Sequence, residues 1–329
     1  MPVRSGEVKG YRNVRAHTGS LATTKSHYLQ ARRGRCCNGS IDTIPVGACA
    51  AQGLCGFCAR DRSIFGRAAS RRAHLCYEEG DANAARAFLR SWLTTYPRNG
   101  LLYSHLSGHL ALGDLEAGDA AAAFQLFMET FSPDVHSGPP RGKVNDAVSL
   151  LRRWELAGHP RDAEGWRMMH DFANSAFPRA GVALSDMHIA LTQVVAGNDA
   201  ALEAHARQVD ELARSGRYPS GPCVPAVSHA FAAFERRDFS AAIDALEPIA
   251  GELERIGGSR AQLDLVEFTL LKAYLSAARL DDARRIANVR RPGPFGHSRC
   301  LVGGGALIDE TTVTSIDLAT SGPRFRNSR

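Results

Sequence analysis

The chain contains no run of 18 apolar residues, which excludes a membrane-spanning helix on length alone. Met1 to Gln30 is basic in places but lacks the apolar stretch of a secretion signal, so a cytoplasmic location is expected. Lysine is confined to Lys9, Lys25, Lys143 and Lys272. Of these only Lys143 follows a glycine, and Val144 stands where a phosphate-binding loop needs Ser or Thr. GxSxG, GxGxxG and HExxH motifs are also missing, so the sequence offers no hydrolase elbow, dinucleotide fingerprint or metalloprotease helix.

Charge is unevenly spread. Residues 1–72 hold 13 Lys/Arg against 3 Asp/Glu and residues 290–329 hold 6 against 3, whereas residues 73–289 hold 21 against 28. The formal net charge of +6 therefore comes from the ends, and nucleic acid is not the expected partner of the acidic middle. Six of the eight cysteines, Cys36, Cys37, Cys49, Cys55, Cys58 and Cys76, lie at or near the N-terminal end. Cys55 and Cys58 have the two-residue gap that lets two thiolates share one zinc ion. No second CxxC or HxxxH follows at finger spacing, so the pair is a weak metal candidate and no cofactor is assigned.

What the chain does have is helical periodicity. Leu101 to Pro133 reads as two apolar-periodic runs separated by Gly118-Asp119, and the segment from Ala73 to Pro97 repeats the plan around Gly80-Asp81. Small Ala73, Ala85, Ala111 and Ala123 let helices approach, and glycine turns the chain between them. Further pairs are expected at Lys143–Ala157 with Ala163–Phe177, and at Leu184–Ala196 with Ala200–Ala213. Val224–Arg236 with Ala241–Ile256, and Ala261–Ala278 with Asp282–Val289 around a turn at Leu280-Asp281, complete the series. The connector 132–142, with Pro139 and Pro140, is expected to act as a stiff spacer.

Helix pairs recurring at this interval predict an all-α fold, an α-solenoid of five or six tetratricopeptide-like helix-turn-helix repeats. It is expected to cover residues 66–292, with disordered segments at 1–65 and 293–329. YSHLSGHLALGDLEAGDAAAAF, HSGPPRGKVNDAVSLLRRWELAGHPRD and DMHIAL resemble the tetratricopeptide repeat protein 38 family over roughly residues 73–292. The resemblance implies the fold and no particular activity. It also implies bulky, mostly tryptophan-like residues where Gly108, Gly113 and Arg152 stand, so a divergent or partly frame-shifted copy is expected.

His105 and His109 are four apart on one helix and share a face, a spacing that allows joint metal ligation. Asp186, His188 and Glu267 fall on first helices of later pairs, which line the concave side of a solenoid. These five are the candidates for a groove that accepts a protein or peptide segment without catalysis. The alternative is a metal-assisted or other small-molecule enzyme using the same histidines. His74, His136, His159 and His229 are expected to be structural.

Overall fold

A residue in the left-handed region ends every second helix and sets the period of the molecule. Gly80, Gly118, Gly158, Gly197, Arg237 and Ala278 all have positive φ, at successive intervals of 38, 40, 39, 40 and 41 residues. At each, two backbone hydrogen bonds fold back onto the preceding helix, as Gly80 N–H to Tyr77 C=O and Asp81 N–H to Cys76 C=O do. At four of the six turns the residue that follows caps the next helix. Asp81, Asp119, Asn198 and Asp238 accept from the backbone N–H of Ala84, Ala122, Ala201 and Ala241.

The computed structural model describes residues 56–289 apart from 133, 134, 136 and 137, with side chains from Phe65 to Ala287. All of these residues belong to one unit, residues 53–329. The described secondary structure is entirely helical. The first pair is α1 (Gly56–Glu78) with α2 (Ala82–Leu93), followed by α3 (Tyr103–Glu116) with α4 (Ala120–Phe131). Next come α5 (Pro140–Leu156) with α6 (Ala163–Ala176) and α7 (Ala183–Val195) with α8 (Asp199–Arg214). The last two are α9 (Cys223–Glu235) with α10 (Phe239–Leu246), and α11 (Arg260–Ser276) with α12 (Leu280–Val289).

First helices pack on one another in order, α1 on α3, α3 on α5, α5 on α7, α7 on α9 and α9 on α11. Among the described residues, second helices pack chiefly against the first helices beside them. Burial follows this division. Outer α2 buries Ala85 and Leu89, whereas α3, α5 and α11 are buried around most of their circumference. The main core runs from Ala111 to Ala283 and includes Phe127, Phe131, Trp166, Met169 and Phe231. Each such side chain contributes about 1.5–3 kcal/mol by leaving water. A smaller core joins α1, α2 and α3 through Ala69, Ala73, Leu89, Tyr103, Leu106 and Leu110.

One relationship departs from simple stacking. The last inner helix, α11, packs against both α5 and α1. Arg153 on α5 donates to the Ala261 carbonyl of α11 and to the Tyr77 hydroxyl of α1, and Tyr77 donates to Asp264 at 2.6 Å. The inner layer thus returns upon itself, and α11 occupies part of the face where the sequence predicted an open groove.

Several expected boundaries shift for local reasons. Helix α1 starts at Gly56, inside the segment assigned to 1–65. Gly66 does not break it, because the missing Cβ leaves room for Tyr96, whose hydroxyl would sit 2.7 Å from an added one. Helix α5 starts at Pro140 instead of Lys143, with proline in the first turn where its absent N–H costs nothing. The helix expected at Ala241–Ile256 stops at Leu246, since Pro248 supplies no N–H and diverts the chain into two 3-10 turns, Glu247–Ile249 and Leu253–Ile256. The last turn is centred on Ala278, not Leu280. The segment 293–329 and residues 1–55 lie outside the described residues.

Candidate functional site

Three histidines meet where α1 crosses α3. His105 and His109 project from the same face of α3, and His74 reaches them from the adjacent helix. One ring nitrogen from each lies within 4.8 Å of the others, and His74 Nε2 is 3.1 Å from His105 Nε2. The rings pack edge to face with centroids 4.6–5.3 Å apart. His109 is 7% exposed and its Nε2 has no hydrogen-bond partner.

A carboxylate supports the cluster from behind. Asp146 on α5 places Oδ2 3.4 Å from His105 Nδ1, and Gln262 of α11 donates to its Oδ1 at 3.5 Å. The approach depends on Gly108, where an added Cβ would lie 3.2 Å from the Asp146 Cβ. The glycine that departs from the expected bulky residue therefore brings α5 close enough for Asp146 to reach His105. Beside these groups is a cavity of ≈10 Å³, lined by His105, Gly108, His109, Leu112, Asp146, Ser149, Ala261 and Gln262. That volume holds about one water molecule.

Electrostatics differ among the three rings. Burial, followed by His105 and His74 and then Arg153, pushes His109 well below the ordinary imidazole range. Burial and then His105 also lower His74, and Asp146 only partly offsets them. In His105 burial works in the same direction, but the charge and hydrogen bond of Asp146 outweigh it and its pKa is raised. The cluster thus presents two imidazoles held neutral and one oriented by a carboxylate.

The other predicted groove residues stand apart from this cluster in their contacts. Asp186 is buried, accepts from Tyr218 at 2.7 Å and from the Gly181 backbone at 3.0 Å, and lies 3.9 Å from His205. His188 is fully buried and bonds the Leu184 carbonyl at 2.7 Å through Nδ1. Glu267 pairs with Arg260 at 2.7 Å. Cys55 and the side chain of Cys58 lie outside the described residues. Sequence reasoning missed His74, Asp146 and Gln262. His74 precedes His109 by 35 residues, close to the repeat interval that stacks equivalent positions, and that was the available signal.

No protein-family model and no solved structure matches the chain. No helix among the described residues is long and apolar enough to cross a membrane.

Proposed function

We propose that this chain is a tetratricopeptide-type α-solenoid, similar to the tetratricopeptide repeat protein 38 family, that acts in the cytoplasm as a noncatalytic binding protein. Its ligand is a segment of another protein, received on the inner face beside His105, Leu112, Ser149 and Gln262. The observation that supports the reading is the distribution of buried polar atoms without partners in the chain. Ser104 and Ser107 Oγ, His109 Nε2, Ser185 Oγ, His188 Nε2 and Gln193 Oε1 belong to inner helices α3 and α7, while the outer helices carry fewer such atoms, Trp92 Nε1 and His205 Nε2 among them. A purely structural layer pairs such groups, because each one left unpaired costs about 1–3 kcal/mol.

The three-histidine cluster favours a second reading, a metal-assisted enzyme. The ≈10 Å³ beside the histidines supports binding over turnover of an organic substrate, since pockets that take such substrates measure about 300 Å³ or more. The test is affinity capture with the full chain. A Leu112→Arg, Gln262→Arg variant should lose a partner that the wild type and an outer-face Arg207→Glu control retain. Retention by all three proteins would refute the inner-face reading.

A further inference from the structure

We propose that His74, His105 and His109 form a binding site for a divalent transition-metal ion of the zinc class, with a water molecule from the adjoining cavity as fourth ligand. This goes beyond partner binding and does not depend on it.

Geometry is the first argument. Two imidazole nitrogens bound to one tetrahedral zinc ion at about 2.0–2.1 Å stand roughly 3.3–3.4 Å apart. His74 Nε2 and His105 Nε2 are already at 3.1 Å. All three donor atoms lie within 4.8 Å of one another, so the widest pair closes by at most about 1.4 Å, a distance that ring rotation supplies.

The surroundings make the second argument. Asp146 Oδ1 faces His105 Nδ1 at 3.5 Å in a hydrogen bond, which holds the proton there and turns the Nε2 lone pair toward His74. A carboxylate behind a ligating imidazole is the usual support of a histidine–zinc centre. A mere chain of hydrogen-bonded rings would satisfy the His74–His105 contact, yet it leaves His109 Nε2 buried without a partner in the middle of the cluster. A cation uses all three lone pairs at once. The donor set is all nitrogen, which suits zinc, cobalt, nickel or copper and not magnesium or calcium.

Room and charge complete the case. The cavity beside His105 and His109 accommodates one water molecule at the remaining position. The Arg153 charge acts on His109 against a cation, and Asp146 supplies the compensating negative charge on the same cluster. Arg153 is itself committed to Tyr77, Ser149 and the Ala261 carbonyl, so its guanidinium is turned to those acceptors.

The test uses the full chain carrying Cys55→Ser and Cys58→Ser, so that the CxxC thiolates do not compete. Cobalt(II) titration followed by visible absorption should give saturable one-to-one binding with a tetrahedral spectrum and no thiolate charge-transfer band, and zinc should displace the cobalt. His74→Ala should abolish the signal, and Asp146→Asn should weaken binding about 10–100-fold. Far-UV circular dichroism checks that each variant is folded. A measurement that needs no histidine variant is mass-spectrometric mapping of diethylpyrocarbonate modification, in which zinc should protect His74 and His105. Absence of saturable cobalt binding, an unchanged stoichiometry in folded His74→Ala, a thiolate band, or equal modification with and without zinc would each overturn the proposal.

Discussion

Tyr77 and Asp264, 187 residues apart in sequence, share a 2.6 Å hydrogen bond that joins the first inner helix to the last. The acceptor is charged, and its other oxygen is held by Arg260 at 2.7 Å. Arg153 approaches the same phenol at 3.3 Å. The contact between α1 and α11 is therefore built from oriented polar groups, whereas α1 meets α2 and α3 through an apolar core flanked by the histidine cluster.

Tyr77→Phe removes the donor and leaves the carboxylate with Arg260. The expected loss is about 1.5–3 kcal/mol, the range for a hydrogen bond to a charged group. Urea denaturation measures it, and hydrogen exchange should show faster opening of α1 than of α9. Uniform exchange would mean that the bond does not fasten α1.

Arg152 is 1% exposed, with Nη1 2.7 Å from Glu235 and its guanidinium 4.5 Å above Phe234. Burial raises the Glu235 pKa, but Arg152 and Arg161 outweigh it and hold the carboxyl below its ordinary range. Arg152→Ala should cost less than the about 3–5 kcal/mol of a fully stranded buried charge, because Arg161 still pairs with Glu235 at 2.8 Å. Adding Glu235→Gln should recover part of that loss, and a double-mutant cycle reads the coupling. Additive losses would place the cost in packing against Phe234 alone.

Arg237 and Ala278 occupy turn positions with φ of 61° and 56° that glycine fills in the other four repeats. Arg237→Gly and Ala278→Gly should each stabilise the protein by about 0.5–1 kcal/mol, since relief of the left-handed strain exceeds the entropy that glycine adds to the unfolded chain. Thermal denaturation decides. A loss of stability would show that these side chains make contacts worth more than the strain.

His188 gives a pH dependence whose sign follows from its burial. Burial lowers its pKa from 6.5 to about 4, Arg153 acts in the same direction, and the Leu184 carbonyl and Asp146 only partly oppose. Above pH 6.5 the ring is neutral whether the chain is folded or unfolded. As pH falls from 6.5 to about 4 the unfolded chain takes up a proton that the folded one refuses, so stability declines by about 3 kcal/mol across that window. His105, raised by Asp146, contributes stability that is fully present below pH 6.5 and is lost as pH rises above it, outside the His188 window. Denaturant midpoints of wild type and His188→Gln across this range should diverge at neutral pH and converge toward acid; parallel curves would refute the assignment.

Helix pairs were legible because their signals are local. Gly118-Asp119 gives a left-handed turn and a cap in two adjacent letters, and Ala123 and Phe127 repeat at helical spacing. Arg237 stayed legible as a turn because Asp238 follows it as Asp follows Gly118, whereas Ala278 hid its turn because strain there is tolerated without glycine or a following cap. The candidate site was only half legible. His105 and His109 announce themselves by lying four apart, but His74 and Asp146 reach them from other helices, by stacking that no single window contains. The return of α11 onto α1 and α5 leaves no periodic trace, since it depends on how far each pair rotates relative to the last.

That return has a consequence for how such a chain can change. An open stack gains or loses units at its ends and keeps its remaining interfaces. Here an extra unit of about 40 residues between α6 and α7 would carry Ala261 and Asp264 away from Arg153 and Tyr77, and would uncover both sides of the seam at once. Duplication and deletion, the ordinary routes by which repeat proteins diversify, are thereby closed to the interior of this one, and single-residue substitution is left as the main means of altering it.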